Sequence, residues 1–224
     1  CRVVQLDQDT SKSSMSMWNF PVDLSLQGDS AELLRELRQR LPARAGQNAH
    51  IDSRRALCEQ RHRQRRLQEH DRAWAGREQS PMSPEWVACC LQQCLDERAL
   101  VMCEAVTSSR AFWSGLELGP GRFFQNLGST LGGGLGAALG ARLARPDCEV
   151  FCIVGDGSWM FGQALAVYEA MHQQQAPFFT LVLNNGKYAA IHEAIQGLLP
   201  GGWSTRTATF PGCELPRPGY YARV

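Results

Sequence analysis

The stretch EVFCIVGDGS, residues 149–158, decides how the rest of the chain is read. An apolar run ends abruptly in Gly155-Asp156-Gly157-Ser158, and helix-like periodicity follows at 161–174. A strand without polar alternation is covered on both faces, which predicts an interior strand of a parallel sheet. The pattern repeats downstream, where FFTLVL (178–183) is a second continuous apolar run, ended by Asn184-Asn185-Gly186. A helix is expected after it, from about 188 to 198.

The turn poses a problem of charge. A loop leading from a strand into a helix N-terminus favours an anion such as phosphate, yet this one carries a carboxylate, Asp156. At about 5 Å, a carboxylate and one phosphate charge repel by roughly 3 kcal/mol at an effective dielectric near 20. No lysine of the G-x-x-x-x-G-K-[ST] kind is present to offset this. A divalent cation between them turns repulsion into coordination, since Mg²⁺ commonly takes one or two side-chain oxygens together with ligand phosphates. Ligands of such sheets sit beyond the carboxyl ends of the strands. If the two strands are neighbours, about 4.8 Å apart, Asp156 and the two asparagines open on one rim. A single helix is expected as the right-handed crossover between them. Either turn alone reads as an ordinary loop; their pairing across one strand–helix–strand unit points to a site.

Upstream, ALVMCEA reads as a strand ending near Glu104, and LGSTLGGGLGAALGARLA as a glycine-rich loop running into a helix. Ser83 and Pro84 open a helix expected to reach about 97. Together these elements predict a doubly wound α/β domain with helices on both faces of a parallel sheet. Residues 2–6 read as a strand, and 30–41 as a helix with Ser30 as its N-cap, broken by Pro42. Between 54 and 78 stand eight arginines (54, 55, 61, 63, 65, 66, 72, 77) against four acids (59, 69, 71, 78). Only Trp74 is near enough to act as a base-stacking partner, so a solvated helical linker is the better reading than a nucleic-acid surface. The whole chain, 224 residues with a net charge of +1, gives no electrostatic reason to expect nucleic acid or an acidic membrane. No apolar stretch is long enough to suggest a membrane span.

Nine cysteines stand at 1, 58, 89, 90, 94, 103, 148, 152 and 213 without a C-x-x-C pair. Reduced, mostly buried thiols are expected, which suits the cytoplasm. The chain starts at Cys1 in what reads as a strand in progress, and GYYARV at its end reads as an interrupted helix, so a fragment of a longer protein is expected.

GDGS followed by LNNG resembles the cofactor motif of thiamine diphosphate-dependent enzymes of the acetolactate synthase and benzoylformate decarboxylase group. LGSTLGGGLGAALGARLARPDCEV resembles that family's glycine-rich segment, and CEAVTSSRAFW its strand end beside the diphosphate. The resemblance covers about residues 82–224, the expected pyrophosphate-binding domain, truncated at its C-terminus. More weakly, 1–41 resemble the end of the family's central domain, with 42–81 as a charged linker.

The resemblance implies thiamine diphosphate and Mg²⁺ as cofactors. Asp156, Asn185 and the Lys187 carbonyl would hold the metal, while Thr107, Ser108, Gly155, Gly157 and Ser158 would line the diphosphate. The Ser129 backbone would hold the aminopyrimidine, Leu131 would prop the bent cofactor, and Ala190 and Ile191 would face substrate. In the family a 2-oxo acid is decarboxylated or joined to a second molecule. The glutamate that activates the pyrimidine ring belongs to a separate N-terminal domain, usually of a second subunit in a homodimer or homotetramer. No residue of this chain takes that role, so it is expected to hold half a site. NNGKYAAIHEA lacks the Gly-Met pair typical of acetolactate synthases and is closer to benzoylformate decarboxylase, while Gly136 replaces a frequent proline. Two other readings stay open: a non-catalytic thiamine diphosphate-binding module, and a dinucleotide-binding domain built on Gly134, Gly136 and Gly140.

Overall fold

The computed structural model describes residues 2–12, 15, 20–45, 50–125 and 131–215. Two compact units result, Cys1–Arg63 and Gln64–Val224. In the first, β1 (Val4–Asp7) pairs in parallel with β2 (Leu24–Gln27), Val4 opposite Leu24. The second strand was not expected, because LSLQ is exposed along its whole length and too short to show a pattern. Helix α1 (Ser30–Ala45) differs from expectation at both ends. Asp29, not Ser30, caps it, its Oδ1 accepting the Glu32 amide at 2.9 Å. Pro42 does not stop it, and the helix runs on to Ala45. The arginine-rich stretch forms α2 (His50–Ala75), largely exposed with Ala73 buried, as a solvated helix should be.

In the second unit, α3 (Pro84–Gln92) starts where expected, with Ser83 Oγ accepting the Trp86 amide at 3.2 Å. It stops five residues before the expected 97, because the Gln93 and Cys94 amides turn back to carbonyls three residues earlier. That tightened turn closes the helix. Then come β3 (Leu100–Glu104), α4 (Ser109–Gly115), β4 (Phe123–Gln125) and α5 (Gly133–Ala144). These are followed by β5 (Val150–Gly155), α6 (Asp156–Phe161), α7 (Ala164–Gln173) and β6 (Phe179–Leu183). Helices α8 (Ala189–Leu198) and α9 (Trp203–Thr207) complete the described chain. The expected single crossover helix is thus two. The break falls at Gly162 and Gln163, the latter at φ 49°, and α6 begins directly at Asp156.

The sheet is wholly parallel, in the order β4-β3-β5-β6. Its strands feed two cores. Val101, Cys103, Phe151 and Ile153 pack on one face with Ala88, Leu91 and Phe112. Leu100, Met102, Cys152 and Val154 pack on the other with Leu135, Ala138 and Trp159. Alternate residues point to opposite faces, and both faces are covered, which is why these strands read as unbroken apolar runs. Each fully buried Phe, Leu or Ile contributes about 1.5–3 kcal/mol. All eight described cysteines are free thiols, but only Cys103, Cys148, Cys152 and Cys213 are buried. Cys58, Cys90 and Cys94 are exposed and Cys89 is half-buried, so the expectation of mostly buried thiols holds for half of them.

Candidate functional site

Strands β5 and β6 are neighbours with Gly155 opposite Leu183, so GDGS and NNG leave the sheet together at one end. Asp156 is the first residue of α6 and is 2% exposed. Its Oδ1 accepts the Gly157 amide at 2.9 Å, and its Oδ2 accepts the Gly186 amide at 2.7 Å. The carboxylate therefore ties the two turns into one structure. Asn185 Oδ1 accepts the Lys187 amide at 3.0 Å, and Asn184 Oδ1 accepts the Gly186 amide at 3.2 Å.

Over these strand ends lies a cleft of about 270 Å³. Its walls bring together Thr107, Ser108, Leu131, Gly155, Asp156, Gly157, Ser158, Asn185, Lys187, Ala190 and Ile191, which is every anticipated site residue within the described chain. Ser129 lies outside the described residues. Asn184, the other half of the asparagine pair, is not in the wall. Ser158 is 4% exposed and its hydroxyl donates to the Glu104 carbonyl at 3.0 Å, bracing α6 against the end of β3. A larger groove of about 770 Å³, edged by Arg66, His70 and Arg110, shares Thr107 and Ser108 with the cleft. It lacks the acid and the asparagine.

Two contributors escaped the sequence reading. Tyr188, at the head of α8, lies so close to Gly157 that a Cβ there would meet its ring at 2.6 Å. Glu104, 2% exposed, sends its carboxylate to the amides of Gly132 (2.6 Å) and Gly134 (2.5 Å). Its only signal in the sequence was an acid closing the otherwise apolar run LVMCE. Below the rim the sheet is dry. Burial pushes the Cys103 thiol up to about 11 and the Cys152 thiol up to about 12, so both stay protonated near neutrality.

Asp156 and Asn185 line the cleft and carry only hard side-chain oxygens as possible ligands, a chemistry that fits a divalent cation such as Mg²⁺; the Lys187 carbonyl accepts the Ala189 amide at 3.0 Å. Among the described residues no cluster of three or more His, Cys, Asp or Glu offers the softer kind of site.

Residues 107–213 match the family described as "Thiamine pyrophosphate enzyme, C-terminal TPP binding domain". That stretch, 107 of the chain's 224 residues, is similar to the family's cofactor-binding domain. Among curated proteins, benzoylformate decarboxylase of Pseudomonas aeruginosa is 36% identical over 115 residues, 51% of this chain and 21% of that protein. Among solved structures, the thiamine diphosphate-dependent 4-hydroxybenzoylformate decarboxylase of Rhodococcus jostii RHA1 is 29% identical, with a TM-score of 0.55. The match covers 62% of this chain and 25% of that one. Benzoylformate decarboxylase from Polynucleobacter necessarius has a TM-score of 0.54 at 20% identity, over 66% of this chain and 27% of that one, and shows the fold alone. The match spans about a fifth to a quarter of the length of these relatives.

Proposed function

We propose that this chain supplies the diphosphate- and metal-binding half of the active site of a thiamine diphosphate- and Mg²⁺-dependent enzyme that decarboxylates a 2-oxo acid. The observation that carries the reading is the position of Asp156. It is a buried carboxylate at the mouth of a cleft, fixed to the Asn185-Gly186 turn and facing no cationic side chain across the wall except Lys187. Left without a cation, a diphosphate there would meet an uncompensated negative charge. Asp156, Asn185 and the Lys187 carbonyl would hold Mg²⁺, and Thr107, Ser108, Gly155, Gly157 and Ser158 would line the diphosphate. Leu131 would support the bent form of the cofactor, Ser129 would take its aminopyrimidine, and Ala190 and Ile191 would border substrate.

When bound, thiamine diphosphate supplies the electron sink that makes loss of carbon dioxide possible. The chain's own residues do the rest. Asp156 and Asn185 would fix one end of the group, Leu131, Leu183 and Ile191 give the cleft an apolar wall, and β5 and β6 hold both turns in register. Among the described residues Asp156 is the only acid lining the cleft and is assigned here to the metal, so no acid is left to activate the pyrimidine. That acid would come from an N-terminal domain of a second subunit, in a homodimer or homotetramer. The similarity to benzoylformate decarboxylases favours decarboxylation over the acetolactate synthase-like alternative. Free thiols throughout the described residues suit the cytoplasm, and among those residues no helix is long and apolar enough to cross a membrane.

Calorimetry tests the reading. Asp156→Ala should abolish Mg²⁺-dependent binding of thiamine diphosphate. Asp156→Asn, which keeps one acceptor oxygen for the Gly157 and Gly186 amides but no charge, should lose it as well. Unchanged affinity with unchanged Mg²⁺ dependence in both variants would refute the assignment.

A further inference from the structure

Glu104 is the most completely buried acid that the proposed chemistry does not use. It closes β3, a central strand, at 2% exposure, and no lysine or arginine pairs with it among the described residues. A carboxylate taken out of water at such cost must be satisfied by hydrogen bonds. Its two oxygens each find one: Oε1 accepts the Gly132 amide at 2.6 Å, and Oε2 accepts the Gly134 amide at 2.5 Å. Those bonds hold the segment that carries Leu131 into the cleft. The segment is also pinned from its far side. Gly132 stands at φ 96°, and a Cβ on it would lie 2.9 Å from the Gly162 Cα. A Cβ on Gly134 would lie 2.7 Å from Glu104 Oε2. The Leu131–Gly132 peptide is therefore clamped between an acid below and the end of α6 beside it.

We infer that Glu104 is a positioning residue, whose carboxylate sets the height of the Leu131–Gly134 turn above the strand ends and so places Leu131 against the organic part of the cofactor. The inference rests on the proposed function and extends it to a residue outside the cleft wall. Its reach is limited by geometry. The Glu104 side chain touches the glycine-rich turn, whereas the diphosphate end is tied to β3 through the Glu104 backbone carbonyl and the Ser158 hydroxyl. A change confined to the side chain should disturb one end of the site and spare the other.

Glu104→Gln makes that change. A glutamine offers one acceptor oxygen and one N–H₂ group where two glycine amides both need acceptors. One amide then faces a donor, and the turn must shift. The experiment titrates the chain with thiamine diphosphate and with inorganic diphosphate, both in Mg²⁺. Affinity for thiamine diphosphate should fall about tenfold or more, the scale of one unsatisfied buried group, while affinity for inorganic diphosphate stays within about twofold. Gly134→Ala presses on the same bond from the other side and should reproduce the split; it decides the matter if Glu104→Gln does not fold. In a double variant, Leu131→Ala should add little to Glu104→Gln, because both act through one contact. Equal loss for both ligands, unchanged affinity for thiamine diphosphate, or full additivity with Leu131→Ala would overturn the inference. Failure of the unaltered chain to bind either ligand would instead remove the proposed function, and this inference with it.

Discussion

A methyl group at Gly157 would sit 2.6 Å from one ring carbon of Tyr188 and 2.7 Å from another. Neither partner can give way easily, since Gly157 is buried in the first turn of α6 and its amide is held by Asp156 Oδ1. Gly157→Ala should therefore cost about 1–3 kcal/mol, the usual scale of overpacking, read as a lower melting temperature. Combining it with Tyr188→Ala, which removes the ring, should recover part of that loss. Additive effects of the two substitutions would place the ring elsewhere. The motif's glycines were legible in the sequence as a turn. Their reason was not, because the ring that demands Gly157 arrives from beyond the next strand. Glu104 was hidden in the same way: its partners, Gly132 and Gly134, come from a segment separated from it by α4 and β4.

At the scale of elements, the capping of α3 gives a direct test. Ser83 accepts the Trp86 amide, and Pro84 has no amide to satisfy in the first turn. Ser83→Ala should lower stability by about 1 kcal/mol; a chemical denaturation midpoint that does not move would show that the cap contributes nothing. The strand centres give another. Cys103 and Cys152 are raised from 9.0 to about 11 and about 12 by burial. The unfolded thiols ionise first, so the stability these groups contribute is intact below pH 9 and falls as pH rises through the folded values. In reducing buffer, melting temperature should decline above about pH 9, and Cys152→Ala should flatten that decline although it starts from lower stability. A decline equally steep in the variant would assign it to other groups. The interior strands β3 and β5 were legible because a strand covered on both faces has no polar side to interrupt it; β6 carries the same unbroken apolar run, yet it is the other edge of the sheet and only half-buried, with Phe179 exposed. Strand β2, exposed at all four positions, and β4, three residues at the sheet edge, carry no such signature. The split of the crossover into α6 and α7 was not legible either. It depends on the close approach of Gly162 to Gly132, a contact between distant segments.

At the scale of the whole molecule, one sheet end collects the acid, the asparagine turn and the glycine-rich turn, and among the described residues Asp156 is the only acid that lines the cleft. The chain alone should therefore show no decarboxylation of a 2-oxo acid with saturating thiamine diphosphate and Mg²⁺. Adding a subunit that carries the missing acid should restore turnover, and clear turnover by the chain alone would mean that its half of the site is misassigned. The candidate site was legible in the sequence to the extent that its residues lie in two contiguous motifs at strand ends, since topology alone then brings them together. What links those motifs to the glycine-rich turn is tertiary and became visible only in the fold. The most direct measurement uses Mn²⁺ in place of Mg²⁺, with thiamine diphosphate, in crystals of this chain. Anomalous scattering should place one metal about 2.0–2.3 Å from the Asp156 carboxylate and the Asn185 amide oxygen, with the diphosphate against Gly157. A metal bound elsewhere, or thiamine diphosphate bound with no metal at Asp156, would contradict the account.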